Sequence, residues 1–224
     1  MDPELVAYLS EFVTDRRRSR MREVLEARTR YITVLLEDIY QPHNGSAVLR
    51  SCDAFGIQDV HIVERNYAYR TNPDVELGTA QWLTLHRHRE EHAEAASVLA
   101  ALRDAGYRTV ATARRTDAVS VEELDLESGP VALLFGTEIA GLTDEMIAGA
   151  DEAVWIPMHG FVESFNISVS VALCLQELTR RLRSSDIPWQ LSSEEWQALY
   201  GQWVRGSVKN VEAIEARYNS RQRR

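Results

Sequence analysis

Apolar residues recur along this chain in two patterns, and their alternation carries its first structural information. Runs at 32–37 (Ile32-Thr-Val-Leu-Leu-Glu37), 60–63, 109–113, 131–135 and 153–156 are short, continuous and rich in β-branched and aliphatic side chains. That is the pattern of strands buried on both faces. Between them the apolar positions take helical spacing. Residues 4–27 read as a helix with Leu5, Leu9, Phe12, Val13, Val24 and Leu25 inward and arginines between them. Residues 46–55 read as a second helix ended by Gly56, and the alanine-rich 91–105 as a third closed by Gly106. A helix over 143–150 starts at Thr143, whose hydroxyl suits an N-cap, with Asp144 and Glu145 favouring the dipole of its first turn. A long helix follows over 166–183, then Pro188 and a Trp-rich segment. Residues 41–45 read as a turn, and 64–88 follow neither period.

Strands alternating with helices predict an α/β fold with a mostly parallel sheet flanked by helices. Ligands in such folds bind beyond the carboxyl ends of the strands. Three segments occupy such places: Gly136-Thr-Glu138, Pro157-Met-His-Gly160 and the turn containing Asn44.

Composition narrows the class. A chain of 224 residues suffices for one well-packed domain with additions at its ends. No apolar run is long enough to cross a bilayer, and the N-terminus lacks the secretory pattern, so no membrane association is expected. Cys52 and Cys174 are too few and too far apart for a disulfide framework or metal motif and read as buried thiols of a reducing, cytoplasmic compartment. The histidines show no metal-ligand spacing; His86, His88 and His92 fall in a polar stretch without cysteines, and no metal is expected.

The net charge of -9 is unusual for a nucleic-acid binder, but its distribution alters the picture. Residues 14–30 hold seven arginines against three acids, and residues 205–224 hold six basic residues against two acids. The stretch between, 31–204, holds twelve basic and twenty-six acidic residues. Basic ends on an acidic body suit termini that grip a polyanion through phosphates, and suit equally well two solvated surfaces. Lys209 is the only lysine; arginine, with its bidentate phosphate geometry, leans towards RNA, although genome composition or a salty habitat gives the same bias.

The familiar nucleotide signatures are missing. There is no Gly-rich dinucleotide fingerprint, no phosphate-binding P-loop and no Gly-x-Ser-x-Gly elbow. A nucleotide-like cofactor would need a different loop.

Three other segments carry a more specific pattern. They are Pro42-His-Asn-Gly-Ser-Ala-Val-Leu-Arg-Ser-Cys-Asp-Ala-Phe-Gly56, Leu134-Phe-Gly-Thr-Glu-Ile-Ala-Gly-Leu142 and Ile156-Pro-Met-His-Gly-Phe-Val-Glu-Ser-Phe-Asn-Ile-Ser-Val-Ser-Val-Ala-Leu173. In order and spacing they resemble the three motifs of the SpoU/TrmH branch of SPOUT RNA methyltransferases, over residues 32 to about 182. The resemblance implies S-adenosyl-L-methionine as cofactor, a deep trefoil knot towards the C-terminal end of the sheet, and a homodimer whose site draws on both chains. It divides the chain into a basic helical extension (1–30), a knotted methyltransferase domain (31–183) and a helical, basic C-terminal extension (184–224).

The resemblance also implies roles. Arg50 matches the motif-one arginine that activates the ribose 2′-hydroxyl. With a pKa above about 12 an arginine is a poor base, so an RNA phosphate assists it, or it chiefly positions and stabilises the alkoxide. Asn44 orients Arg50 or the RNA, and Glu138, Ser164 and Asn166 match polar motif positions, the last two also being natural helix caps. For the cofactor, Gly136 and Gly160 allow close backbone approach, Ile156, Met158 and Phe165 enclose the adenine, and Thr112 stands at the family's contact position. Taken singly, the glycines would usually be turn residues, and Ile156 and Phe165 usually core. His159 and Glu163 receive no catalytic role.

About thirty residues precede the first strand, too few for the folded RNA-binding domain of many ribosomal-RNA relatives, so the short arginine-rich N-terminus resembles the tRNA guanosine-18 subfamily. Arg16, Arg17, Arg18, Arg20 and Arg22 are expected on tRNA phosphates, with Arg114 and Arg115 near the cofactor and also in reach of RNA. In the C-terminal segment, Trp196, Leu199, Tyr200 and Trp203 recur at helical spacing and read as packing ahead of base stacking; Trp189 precedes them. The alternatives are ribose methylation elsewhere in tRNA or in ribosomal RNA, and a catalytically idle knotted RNA-binding protein.

Overall fold

The computed structural model describes residues 1–137 and 140–222. In chain order the elements are α1 (Pro3–Ser10), α2 (Asp15–Glu26), β1 (Ile32–Glu37), α3 (Pro42–Ala54), β2 (Asp59–Glu64), α4 (Pro73–Glu76), β3 (Thr84–Arg89), α5 (Ala95–Asp104), β4 (Arg108–Thr112), β5 (Val119–Ser120), β6 (Val131–Phe135), α6 (Asp144–Gly149), β7 (Glu152–Trp155), α7 (Ile167–Arg183), α8 (Ser193–Ser207) and α9 (Val211–Gln222). They group into two compact units, residues 29–189 in one and residues 1–28 with those from 190 onward in the other.

The larger unit is a seven-stranded sheet in the order β3-β2-β1-β6-β4-β7-β5, and every neighbouring pair is parallel. The α/β expectation therefore holds, with the sheet wholly parallel. Period-two alternation splits the strands between two cores. Ile32, Val34, Leu36, Val131, Leu133, Phe135, Val110 and Val154 pack with Leu49, Cys52, Leu175 and Leu178 of α3 and α7. Leu35, Ala132, Leu134, Ala111 and Ala153 turn to the opposite face and pack with Val98 and Leu102 of α5 and Met146 of α6. Burial on both faces is why these strands lack a polar side. From β1 the chain runs outward to β2 and β3, then crosses to the other flank for β4, β7 and β5, and this reversal leaves a crevice at the carboxyl ends.

Several boundaries differ from the sequence expectation. Residues 41–45 do not form a turn: α3 already begins at Pro42, whose fixed φ and missing N–H suit a first helical position. The expected helix 4–27 is two helices, because Thr14 takes an extended conformation and its hydroxyl accepts from Arg17 N, starting α2 afresh. The helix expected over 91–105 is shortened to Ala95–Asp104 behind a 3-10 turn, Glu90–Ala93. Two strands were not expected: β3 alternates Thr, Leu, His, Arg, His, Arg at the sheet edge, and β5 has two residues.

In the smaller unit, α8 opens with a full capping box between Ser192 and Glu195. Its buried Leu199, Tyr200, Trp203 and Val204 face α1 and α2. Trp196 Nε1 donates to Glu26 at 3.1 Å, and the buried Arg28 guanidinium lies 5.4 Å over the Trp203 ring. The aromatic stripe is thus used for packing, as its helical spacing predicts.

Candidate active site

Thr112, Phe135 and Trp155 stand at the carboxyl ends of β4, β6 and β7, and the residues following them surround a cavity of about 390 Å³. That is within the size range of small-ligand sites, roughly 300–1,000 Å³. Ile156 and Met158 enter from the segment after β7, Leu142 from the loop after β6, and Phe165 and Ile167 from the approach to α7. Strands, loops and a helix start from distant parts of the sequence converge because the sheet is parallel and all these ends lie on one edge.

The loop after β6 is shaped by backbone. A side chain at Gly136 would place its Cβ 2.0 Å from the Gly141 carbonyl carbon and oxygen, so only glycine fits there. Thr137 N donates to Gly141 O at 3.0 Å and Gly141 N returns a bond to Thr137 O at 2.9 Å, with Gly141 at a φ of 71°. Thr112 Oγ1 donates to Leu134 O at 2.7 Å and ties β4 to β6 at the cavity floor. The far end of the loop is anchored by a residue the sequence reading passed over. Glu37, buried at the end of β1, accepts from Thr143 N at 2.9 Å and from Thr143 Oγ1 at 2.8 Å. Burial pushes its carboxyl above the ordinary range, and the two Thr143 donors and nearby Arg65 only partly oppose that. The only sequence signal was an acid closing an otherwise apolar strand.

Of the expected cofactor positions, Thr112, Gly136, Ile156, Met158 and Phe165 line the cavity, as do Ser164 and Arg114. Gly160 is exposed, is not among the lining residues, and has open space where a Cβ would stand. Glu138 lies outside the described residues. Asn166 caps α7 by accepting from Ser168 N at 2.9 Å, while its Nδ2 donates to Asn44 Oδ1 at 3.2 Å. The structure thus joins motif-one and motif-three asparagines, and Asn44 Nδ2 donates onward to Gln41 at 2.8 Å. Arg50, two turns further along α3, is exposed and donates to Val75 O of α4 at 3.3 Å. It does not line its own chain's cavity.

The arginines divide sharply. Arg16, Arg17, Arg20 and Arg22 are exposed on α2, Arg20 beside Glu23 at 3.2 Å and Arg22 donating to Tyr200 Oη at 3.5 Å, while Arg18 is half-buried, donating to Ser10 O at 2.9 Å and pairing with Asp15. Arg115 is committed: it donates to Ile147 O and Ala150 O at the end of α6, at 3.1 and 3.0 Å, and pairs with Asp117 at 2.6 Å. No group of three or more His, Cys, Asp or Glu among the described residues is arranged to hold a metal ion, and no described helix is long and apolar enough to cross a membrane.

The family model of the SpoU rRNA Methylase family matches residues 31–176. This chain belongs to that family. Its matched segment begins one residue before β1 and ends within α7, so it contains all the cavity-lining residues named above. The chain is 39% identical to a tRNA (guanosine(18)-2′-O)-methyltransferase of Borreliella burgdorferi, over 96% of each chain. Among solved structures it resembles the Aquifex aeolicus TrmH/SpoU tRNA modifying enzyme, with a TM-score of 0.75 and 28% identity over 87% of this chain and 98% of that one. It also resembles the SpoU methyltransferase AviRb of Streptomyces viridochromogenes, solved with S-adenosylmethionine bound, with a TM-score of 0.59 and 26% identity over 73% of this chain and 65% of that one. The SPOUT-type fold and membership of an RNA methyltransferase family follow.

Proposed function

We propose that this SpoU-family chain methylates the 2′-hydroxyl of guanosine 18 in tRNA, using S-adenosylmethionine. The observation that carries the reading is the cavity, which gathers Thr112, Gly136, Ile156, Met158 and Phe165 from separate segments into one place. The cavity suits the cofactor. Its walls at Ile156, Leu142 and Phe165 are apolar, as an adenine requires, and the glycine-shaped loop after β6 brings backbone donors and acceptors to its edge. The choice of tRNA is supported by the Borreliella match, which covers 96% of the chain.

When bound, the cofactor supplies an electrophilic methyl group. The protein's part is to place the ribose and to stabilise the negative charge that grows on its 2′-oxygen. Arg50 is the group assigned to that charge. Its guanidinium stays protonated, so the hydroxyl proton passes to an RNA phosphate or to water. Asn44, held by Asn166, fixes the start of α3 and hence the direction of the helix that carries Arg50. Since Arg50 stands off its own cavity, the reading requires a homodimer in which it serves the partner's cofactor. Val169 and Leu173, one turn apart on α7, and the fully exposed Phe161 with Val162 supply an apolar surface that supports such pairing. A deep trefoil knot over residues 31–183, with helical extensions at each end and α2's exposed arginines on tRNA phosphates, completes the proposal.

The test is incubation of the purified protein with tRNA and methyl-labelled S-adenosylmethionine, followed by mapping of ribose methylation. Label at the ribose of guanosine 18 is expected. Label confined to another nucleotide, or none, overturns the assignment.

A further inference from the structure

The cavity's described lining contains one cation and one anion, Arg114 and Glu163; its other members are apolar or neutral. Arg114 lies two residues past the end of β4, and Glu163 in the segment between β7 and α7. The strands they follow are neighbours, with Thr112 opposite Val154, and both residues line the same cavity. Both side chains are exposed, and neither makes a hydrogen bond or ion pair with another described residue. Arg115, next in sequence, is by contrast consumed by the end of α6 and by Asp117.

We propose that Arg114 and Glu163 form the subsite for the amino-acid tail of the cofactor, Arg114 taking the α-carboxylate and Glu163 the α-ammonium. The inference rests on the methyltransferase reading above. It assigns a function to Glu163, and moves Arg114 from RNA to cofactor. The chemistry is one of complementarity. An apolar slot with a neutral polar edge accounts for a nucleoside but leaves a zwitterionic tail unmatched. A single pair of opposite charges at the mouth matches it without net charge. An RNA phosphate at the same mouth would meet Glu163 as well as Arg114 and be repelled by the first as it is drawn to the second. A solvent-exposed ion pair has a modest effect, so each contact should change affinity by about three- to tenfold.

Calorimetric titration of the intact protein tests this without turnover. The probes are S-adenosylhomocysteine, its decarboxylated and deaminated analogues, and 5′-methylthioadenosine, which lacks the tail. Arg114→Gln should weaken S-adenosylhomocysteine about three- to tenfold, and in that variant removing the carboxylate should cost nothing further. Glu163→Gln should behave likewise towards the ammonium. Neither substitution should change 5′-methylthioadenosine binding. Equal loss for every probe, or no loss for any, overturns the proposal. A Glu163→Gln defect seen with S-adenosylmethionine but not with S-adenosylhomocysteine would reassign Glu163 to the sulfonium. A reduced salt dependence of tRNA binding in Arg114→Gln, with all probes unaffected, would return Arg114 to RNA. If the wild-type protein binds neither S-adenosylhomocysteine nor 5′-methylthioadenosine, the methyltransferase reading itself fails and this proposal with it.

Discussion

The cavity and the outer end of α3 are two regions of one unit, built on opposite principles. The cavity is assembled from strand ends and backbone. Gly136 is pinned against Gly141, Thr112 is tied to β6, and Glu37 anchors the far end of the loop through Thr143. Its described lining is drawn from strand ends and loops of one chain. Arg50, by contrast, reaches solvent, donates to Val75 O, and is not among the described residues of the cavity wall. A pre-organised pocket suits a cofactor that is the same molecule in every turnover. An exposed arginine suits a group that acts only when something is brought to it. The difference carries the proposal of a divided chemistry, in which the cofactor pocket is preformed and Arg50 acts once RNA and a second copy are in place.

Four variants bear on that division, beginning with the largest expected effect. Arg50→Ala should lower kcat at least about a hundredfold, the scale of losing a group aimed at developing charge, while S-adenosylhomocysteine binding by calorimetry stays within about twofold. Parallel loss of both would erase the distinction between the regions. Val169→Asp with Leu173→Asp should produce a monomer by light scattering, with activity down about tenfold or more and the cofactor still bound; an active monomer would place Arg50 in its own chain's site. Gly136→Ala should do the reverse of Arg50→Ala, because its Cβ meets backbone at 2.0 Å. Such overpacking costs about 1–3 kcal/mol, so cofactor affinity should fall about tenfold, and unaltered affinity would show that the loop is not held as described.

The smallest effect concerns Glu37. Its carboxyl titrates above the ordinary carboxylate range, chiefly because burial penalises its charge. A folded-state pKa raised in this way favours the folded protein below the ordinary range, and the benefit is lost as pH rises through the raised value. Glu37→Gln exchanges no proton there, so its stability should decline less between mildly acidic and neutral pH than that of the wild type. Denaturant melts across that range read the difference, and parallel curves would deny Glu37 its raised pKa.

Much of the larger unit was legible because strands buried on both faces announce themselves as apolar runs, as at Val131–Phe135. β3 was not, since an edge strand with one neighbour can carry His86, Arg87, His88 and Arg89 and looks like a loop. The start of α3 was misread because Asn44 and Gly45 are strong turn formers, and only Pro42 hinted at a helix. The cavity residues were legible through their motifs, and the structure brings most of them together. What sequence could not convey was direction: that Arg50 faces Val75, that Arg115 is spent on α6, and that Glu37 reaches Thr143 across more than a hundred residues. Side-chain direction depends on the packing of distant segments, which a linear pattern does not encode.

The divided site is tested most directly by mixing Arg50→Ala, which keeps its cavity, with Gly136→Ala, which keeps its arginine, at a cofactor concentration too low to fill the weakened Gly136→Ala cavity. Refolding them together at equal amounts should restore up to about a quarter of wild-type tRNA methylation, since about half the dimers are mixed and each mixed dimer owns one intact site. Activity no greater than that of the two variants measured separately would contradict the account.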